Sequence, residues 1–358
     1  MSQKSRSSTS RRSFLKKAGA AGTAAIAFPT ILRAIELPAN GPGSIQGTGT
    51  HKYEWQHEWI KLPADVKLGN CHGVQEDSQG RIYIHHTGTP SMIVCDHDGK
   101  VITTWGPEYA GAAHGLQLRK EGSEEFLYLA LTGQKRVVKT TLEGKVVYEL
   151  KYPEKAGVYK DKDGKPSDKG YTPTNIAFAP NGDFYVADGY GSNYIHRYNL
   201  KGEYLSTFGG TGTEAGKTKC PHGIWCDTRG SEPRLLVADR ANSRLQYFTM
   251  DGKHISFIQG KIDDGIVRAP CHFHEQKGDI LIPDLRGRIT ILDKDDKLVA
   301  ELFDNEDAKK RAVNSVPKAQ WVDGQFICPH GAMWDSKGNI IVCEWVKPGR
   351  ITKLRRVV

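Results

Sequence analysis

Short runs of β-branched and aromatic residues alternate with polar residues along the chain, and glycine-containing turns separate them. One such run extends from Gly80 to His85, another from Gly182 to Ala187, and Gly-Lys turns open further runs, as at Gly99. Sets of four short strands recur at a spacing of roughly 40 to 60 residues, which is typical of propeller blades. The repeats contain no sustained helical periodicity. The sequence therefore predicts an all-β fold, a six-bladed β-propeller.

The predicted blades share an opening apolar run, which in five of the six begins near a histidine. The blades open near His72, His114, Thr174, His222, His272 and His330. The last blade lacks a fourth strand, and we expect the run Tyr53 to Leu62 to supply it beside Ile351 to Leu354. This pairing would remove two exposed sheet edges. A β-sandwich or two stacked β domains would be the alternative, but neither explains the regular blade period.

The predicted organisation has three parts: a signal segment and leader at 1–39, a flexible linker at 40–52 and one propeller at 53–358. No Pro/Ser-rich segment divides the repeats. Two segments depart from the blade pattern. Residues 154–170, rich in Lys, Asp and Gly, are expected to form a solvated loop, and 304–325 are expected to hold one or two helical turns.

The formal charge of +9 is concentrated at the start of the chain. Residues 1–35 contain seven basic residues and no acidic residue, so the remainder is nearly neutral and its charges alternate in sign. Binding to a nucleic-acid backbone requires a basic face on the folded domain. The charge distribution therefore disfavours a nucleic-acid-binding protein.

The basic leader resembles a twin-arginine export signal. Arg11 and Arg12 stand in the setting Ser-Arg-Arg-Ser-Phe-Leu-Lys, and a weakly apolar run rich in alanine follows from Ala18 to Phe28. That run is too short and too rich in Ala and Gly for a stable membrane span. We expect export by the twin-arginine machinery to the periplasm or the exterior, cleavage between Ala34 and Ala39, and a monomeric protein. A basic tail without a targeting role is the alternative.

Seven cysteines give an odd count. Twin-arginine substrates fold before export in a reducing compartment, which disfavours a disulfide scaffold. Four of the cysteines lie one or two residues before a blade-opening histidine: Cys71, Cys220, Cys271 and Cys328. Thiolate metal ligands are one interpretation, and small apolar residues in crowded inner strands are the other. The second is favoured because the chain has no Cys-x-x-Cys pair.

The blade-opening histidines are candidates for a metal site. The first strand of every propeller blade lines the central channel, so equivalent side chains of several blades converge there. Three neutral imidazoles can bind one Zn²⁺ and leave a coordination position for a substrate. A ring of histidines that binds only channel water is the alternative. The remaining histidines fit surface or structural positions, for example His51, His57, His97, His196 and His254.

Six segments, in order, carry a family resemblance. They are His114-Gly-Leu, Pro173-Thr-Asn-Ile-Ala, Val186-Ala-Asp-Gly-Tyr190, Pro221-His-Gly-Ile, Val237 to Arg244 and Pro329-His-Gly. This series resembles the NHL-repeat propeller of peptidyl-alpha-hydroxyglycine alpha-amidating lyase and covers the chain from about residue 70 to 358. The Asp-Gly-Tyr segment and the Ala-Asp-Arg-x-Asn-x-Arg segment are its more specific parts.

The resemblance implies a zinc ion held by His114, His222 and His330. It places Tyr190 at the family's catalytic tyrosine and Arg240 at an active-site arginine. The implied reaction cleaves a carbinolamide C–N bond and releases a peptide amide and glyoxylate. From the residues alone, Tyr190 is equally compatible with packing at a blade corner, and Arg240 with an ion pair to a strand-end carboxylate.

The chain also departs from the family. His86 stands where the family has a second active-site arginine, and it is kept as a third candidate catalytic residue. Gly331 replaces an aspartate associated with calcium, so a calcium site is not expected. His72 and His272 are additional channel histidines and form a possible additional site. Two other functions remain open: a metal-dependent propeller enzyme for another small hydroxylated or lactone-like substrate, and a non-catalytic propeller that binds a peptide, glycan or protein.

Overall fold

Six antiparallel sheets build the protein, and their first strands line a common centre. The computed structural model describes residues 41–357, so the predicted signal segment and cleavage region lie outside the described residues. Inner strands of neighbouring sheets contact one another, and the last returns to contact the first. The prediction of a six-bladed propeller is confirmed. No helix of residues 41–357 is both long enough and apolar enough to cross a membrane.

The strands follow the chain blade by blade. Two precede the first blade, β1 (Ile45–Thr48) and β2 (His51–Gln56). Blade 1 comprises β3 (Cys71–Glu76), β4 (Ile82–His86), β5 (Met92–Cys95) and β6 (Val101–Trp105). Blade 2 comprises β7 (Ala113–Glu121), β8 (Glu124–Leu131), β9 (Arg136–Thr141) and β10 (Val146–Leu150). Blade 3 comprises β11 (Asn175–Phe178), β12 (Phe184–Ala187), β13 (Tyr194–Tyr198) and β14 (Tyr204–Gly209).

The second half of the ring has the same form. Blade 4 comprises β15 (Pro221–Asp227), β16 (Arg234–Asp239), β17 (Arg244–Phe248) and β18 (His254–Gln259). Blade 5 comprises β19 (His274–Gln276), β20 (Asp279–Asp284), β21 (Arg288–Leu292) and β22 (Leu298–Leu302). Blade 6 comprises β23 (Pro329–Trp334), β24 (Ile340–Glu344) and β25 (Arg350–Arg356), completed by β2 and β1. Short 3₁₀ helices occur at Pro107–Tyr109, Thr132–Gln134, Glu154–Ala156, Arg240–Asn242 and Lys318–Gln320.

The ring closes where the sequence predicted. Strand β2 pairs antiparallel with β25, with Trp55 opposite Leu354, so the predicted closing strand is confirmed for residues 53–56. Strand β1 adds a fifth strand that the sequence did not predict, and the sheet begins at Ile45, inside the segment 40–52 that we expected to be a flexible linker. No residue of β1 is buried, and its single large apolar residue, Ile45, is exposed. The alternation that reveals a strand is therefore missing there.

Aromatic side chains fix the closing strand in place. Tyr53 and Trp55 are buried, and they pack in one cluster with Leu302, Phe326 and Leu354. The indole N–H of Trp334 donates a hydrogen bond to the Tyr53 hydroxyl over 2.8 Å. This bond joins β2 to β23 within blade 6 and satisfies a buried donor.

We expect Tyr53→Phe to lower the free energy of unfolding by about 1–3 kcal/mol, because the buried Trp334 N–H would lose its acceptor. Denaturant unfolding of the purified protein measures this change. Tyr171→Phe is the matched control, since the buried Tyr171 hydroxyl has no hydrogen-bond partner. An equal loss in both variants would show that the hydrogen bond to Tyr53 is not the cause.

Of the two segments outside the blade pattern, the first differs from expectation and the second agrees with it. Residues 154–170 are not wholly solvated, because Tyr159 is buried and its hydroxyl donates to Asp188 over 2.7 Å. Residues 304–325 contain one short 3₁₀ helix, Lys318–Gln320, together with hydrogen-bonded turns. All seven cysteines are free, and six of them are buried. Their burial is what small apolar side chains in crowded strands would show.

Candidate metal centre

Three channel histidines are anchored to the backbone of the next blade in the ring. In each case the imidazole Nδ1 lies within hydrogen-bond distance of a backbone carbonyl oxygen at the start of the neighbouring blade. The pairs are His114 with Thr174 (2.7 Å), His222 with Cys271 (2.8 Å) and His330 with His72 (3.2 Å). A carbonyl only accepts, so Nδ1 must carry the proton. The Nε2 lone pair of each ring is then available to a metal.

The glycine that follows each of these histidines makes the anchor possible. A Cβ at Gly115 would lie 2.5 Å from the Thr174 oxygen, and one at Gly223 would lie 2.5 Å from the Cys271 oxygen. At Gly331 the distance to the His72 oxygen would be 2.2 Å. The inner strands therefore approach too closely for any side chain. This close contact requires glycine after the histidine, and it therefore accounts for the His-Gly pair that recurs in the sequence.

Four imidazoles, those of His72, His114, His222 and His330, meet in the channel. Their five neighbouring ring pairs have centroids 4.4 to 4.9 Å apart. Burial, the largest influence, lowers the pKa of all four, and the pKa of His114 falls to about 3. Neighbouring positive charge, including that of Arg240, lowers the pKa of His222 and His330 further. These rings are therefore neutral near pH 7, the state in which imidazole binds metals.

The donor atoms fit a metal ion. Two sets of three ligand atoms each lie within 4.8 Å of one another, from His72, His114 and His330 and from His222, Cys271 and His330. The buried Nε2 of His330 has no hydrogen-bond partner. A set of neutral imidazoles suits several transition metals, zinc among them. The three predicted zinc ligands thus lie together in the channel, although they are divided between the two sets.

The Tyr190 hydroxyl lies against two of these imidazoles. It is 3.2 Å from His114 Nε2 and 3.0 Å from His222 Nε2. The residue is 43% exposed, so it stands at the open end of the channel while its hydroxyl faces inward. Enclosure of the hydroxyl raises the pKa of Tyr190 to about 12, and Arg240 opposes this rise. Tyr190 therefore contacts the candidate metal site.

A buried carboxylate fixes the turn that carries Tyr190. Asp188 accepts hydrogen bonds from the backbone N–H groups of Thr172 (2.5 Å) and Ser192 (2.7 Å) and from the Tyr159 hydroxyl (2.7 Å). Burial raises the pKa of Asp188 to about 6, against the lowering effect of these bonds. The Asp-Gly-Tyr segment is thus held from both sides, which orients Tyr190 toward the channel.

Arg240 begins the 3₁₀ helix that follows β16. Its guanidinium donates to the Tyr190 hydroxyl over 3.1 Å and lies 3.9 Å from the Cys271 sulfur. No carboxylate of residues 41–357 pairs with it, since the adjacent Asp239 is taken by Arg244 (2.7 Å). The ion pair considered from the sequence is therefore not formed. A permanently charged fork without an acidic partner is suited to bind an anionic ligand.

His86 and His272 make no direct contact with this group. His86 Nδ1 accepts the backbone N–H groups of Gly69 (3.2 Å) and Gly88 (3.0 Å). His272 Nε2 lies 3.0 Å from the Gln117 side-chain nitrogen across the channel. Within residues 41–357, neither the His86 ring nor the His272 ring makes a hydrogen bond or a ring contact with the four imidazoles or with Tyr190. A catalytic role for His86 and a metal role for His272 stay predictions.

The sequence did not predict the carbonyl oxygens that orient the histidines, whereas the Cys271 thiol was one of the possible metal ligands that it left open. Thr174 and Cys271 supply the carbonyl oxygens that orient His114 and His222, and Cys271 also brings a thiol to the centre. Burial raises the pKa of that thiol to about 12, so it is protonated near pH 7 without a metal. The only signal in the sequence for these two residues was their position at the start of a blade. Backbone acceptors leave no trace in residue type.

Comparison with known proteins supports the resemblance seen in the sequence. No protein-family profile matches the chain. The chain is 27% identical over 243 residues to peptidyl-alpha-hydroxyglycine alpha-amidating lyase 1 of Drosophila melanogaster, covering 55% of this chain and 40% of that protein. It is 27% identical over 202 residues to human NHL repeat-containing protein 3, covering 54% of this chain and 55% of that protein. The chain resembles NHL-repeat propellers, the amidating lyase among them.

Solved structures show the same fold at much lower identity. A streptogramin B lyase matches with a TM-score of 0.57 at 14% identity, covering 85% of this chain and 97% of that one. A putative gluconolactonase matches with a TM-score of 0.53 at 13% identity, covering 82% of this chain and 93% of that one. These likenesses concern the fold alone. The chain spans only about half the length of the curated relatives named above.

Proposed function

We propose that the protein is a metal-dependent lyase that cleaves the carbinolamide C–N bond of a peptidyl-α-hydroxyglycine. The observation that carries this proposal is the contact of the Tyr190 hydroxyl with His114, His222 and Arg240 at one end of the channel. This contact joins metal-binding imidazoles, a proton-transfer group and an unpaired cation. The similarity to the Drosophila lyase supports the same reaction.

His114, His222 and His330 would hold the metal through their Nε2 atoms. A bound zinc ion acts as a Lewis acid that makes a substrate hydroxyl more acidic. The carbonyl oxygens of Thr174, Cys271 and His72 hold the Nδ1 protons, and so keep the three rings turned toward the channel. Such outer contacts fix the tautomer and orientation of metal-binding histidines.

Tyr190 would move the proton in this reaction. Its phenolate takes the proton of the substrate hydroxyl, the C–N bond breaks as the C=O bond forms, and the amide nitrogen receives a proton. One peptide amide and one glyoxylate result, and the proton balance closes when Tyr190 returns the proton it took. The tyrosine must lose its own proton first, and the charge of Arg240 favours that loss.

Arg240 would bind the substrate carboxylate. Its guanidinium is permanently charged and has no carboxylate partner among residues 41–357. A bidentate contact with the carboxylate would place the substrate hydroxyl beside Tyr190, because the guanidinium already touches the tyrosine oxygen. The position of Arg240 thus favours a substrate that ends in a carboxylate next to the hydroxyl.

Glyoxylate release from a defined peptide tests the proposal. Zinc-loaded protein should convert a peptidyl-α-hydroxyglycine into equal amounts of peptide amide and glyoxylate, and should release no glyoxylate from the same peptide ending in glycine. The absence of glyoxylate from the hydroxylated peptide, in protein shown to contain the metal, would reject the amidating reaction. Another small hydroxylated or lactone-like substrate, or a binding role, would then replace it.

We also propose that the protein is exported through the twin-arginine route. Replacing both Arg11 and Arg12 by Lys is expected to retain nearly all of the precursor inside a bacterial cell, because that pathway reads the arginine pair. Cell fractionation and immunoblotting measure this retention. Replacing the nearby Lys16 and Lys17 by Arg is the control and should leave export intact. Normal export of the double-lysine variant would contradict the proposal.

A further inference from the structure

We propose that His72 is a fourth metal ligand of the channel centre, in addition to the three histidines that the family resemblance implies. This inference rests on the metal centre of the proposed function and concerns its ligand number. His72 is 6% exposed, and its ring centroid is 4.4 Å from that of His330 and 4.9 Å from that of His114. One of its ring nitrogens lies within 4.8 Å of a ligand nitrogen of each of them.

The hydrogen bonding of His72 differs from that of the other three rings. Each of those three has its Nδ1 on a carbonyl oxygen of the next blade. The Nδ1 of His72 is buried and has no partner. The backbone carbonyl of His72 accepts the hydrogen bond from His330 Nδ1. This bond holds the main chain at position 72, but no hydrogen bond to Nδ1 orients the His72 imidazole. Buried nitrogens without a partner also occur at His272 and His85, so the closeness of His72 to the ligand nitrogens of His114 and His330 is what marks it as a candidate ligand.

The other two blade openers each make a side-chain hydrogen bond within the protein. The Thr174 hydroxyl donates to the carbonyl oxygens of Ala187 (3.2 Å) and Pro221 (3.0 Å). His272 bonds to Gln117 through Nε2; its Nδ1 is also buried without a partner, but no ring contact joins it to the four imidazoles. Packing alone would be served better by an apolar residue at position 72, since a buried imidazole without a partner costs free energy. The close neighbours of His72 are imidazoles that offer lone pairs, which a shared cation would bring together.

A fourth imidazole changes what the centre can do. Catalytic zinc sites with three protein ligands keep a position for water or substrate. A fourth imidazole would therefore compete with water and with the substrate hydroxyl for the metal. We infer that His72 raises metal affinity and restricts access of water to the metal.

Metal binding by His72→Ala tests this ligand directly. Zn²⁺ affinity is measured by chelator competition on the dialysed, full-length mature protein, and ligand number by X-ray absorption spectroscopy of the zinc-loaded protein. We expect His72→Ala to bind Zn²⁺ at least about 10-fold more weakly and to show one imidazole fewer than the unaltered protein. His254→Ala, which removes a histidine of the outer strand β18 that is hydrogen-bonded to Gln246, should change neither quantity.

A second variant separates ligation from folding. His72→Gln retains a polar side chain of similar length, and circular dichroism and thermal unfolding establish that both variants are folded. Weaker Zn²⁺ binding by folded His72→Gln supports the inference. Unaltered affinity and ligand number in folded His72→Ala or His72→Gln overturn it and leave the proposed reaction standing. An unaltered protein that binds no Zn²⁺ overturns both, whereas failure to release glyoxylate with normal metal binding overturns only the reaction.

Discussion

Replacing His222 by Ala is expected to weaken metal binding by roughly 10²-fold or more and to abolish most of the proposed turnover. His222 provides a neutral Nε2 that faces His114 and His330, and its Nδ1 is held by the Cys271 carbonyl. Loss of the ring removes a ligand and also a hydrogen-bond partner of the Tyr190 hydroxyl. Elemental analysis after dialysis and chelator competition measure the loss.

A histidine outside the channel provides the control for this experiment. His254 lies on the outer strand β18, hydrogen-bonded to Gln246 over 2.8 Å, and has no contact with the metal centre. His254→Ala should retain the metal stoichiometry and affinity of the unaltered protein. If His222→Ala did the same, His222 would not be a metal ligand, and the set formed by His72, His114 and His330 would be the better assignment.

Replacing Tyr190 by Phe is expected to lower turnover by roughly 10²-fold or more while metal binding survives. The change keeps the ring that packs on His114 and His222 and deletes only the oxygen that contacts both imidazoles and Arg240. A positioned acid–base group contributes about this factor to a rate. The turnover of zinc-loaded protein with a peptidyl-α-hydroxyglycine, measured beside its metal content, separates the two effects.

Tyr204→Phe is the matched control for the tyrosine. Tyr204 lies on β14, the outer strand of the same blade, and its hydroxyl lies 2.9 Å from that of Thr207, far from the channel. This variant should turn over normally. Undiminished turnover in Tyr190→Phe would exclude the tyrosine as the proton-transfer group even if glyoxylate were released.

The strands that close the propeller show which elements the local pattern of apolar and polar residues can predict and which it cannot. Tyr53 and Trp55 alternate with polar neighbours, so the sequence identified a strand with one buried face and no partner in its own blade. Strand β1, only three residues earlier, escaped prediction because its residues lie at the outer edge of a sheet and none of them is buried. Burial on one face leaves a periodic signal in the sequence, whereas edge pairing through backbone hydrogen bonds does not.

In the candidate site, too, the sequence predicted some residues and did not predict others. The repeat placed His114, His222 and His330 at equivalent positions of different blades, and the family resemblance singled out Tyr190 and Arg240. The sequence did not distinguish His72, which joins the cluster, from His272, which bonds to Gln117 instead. Both open a blade, and their side chains meet different neighbours only after the ring has formed.

The sequence by itself determined the strand period, the number of blades and which residues open them, because these follow from spacing along one chain. The tertiary structure decided which blade-opening residues become neighbours and which atom of each histidine faces the channel. Those choices depend on carbonyl oxygens at Thr174, Cys271 and His72, contributed by blades far away in sequence. A backbone carbonyl has the same chemistry in every residue, so only the folded ring shows which three orient the candidate metal ligands.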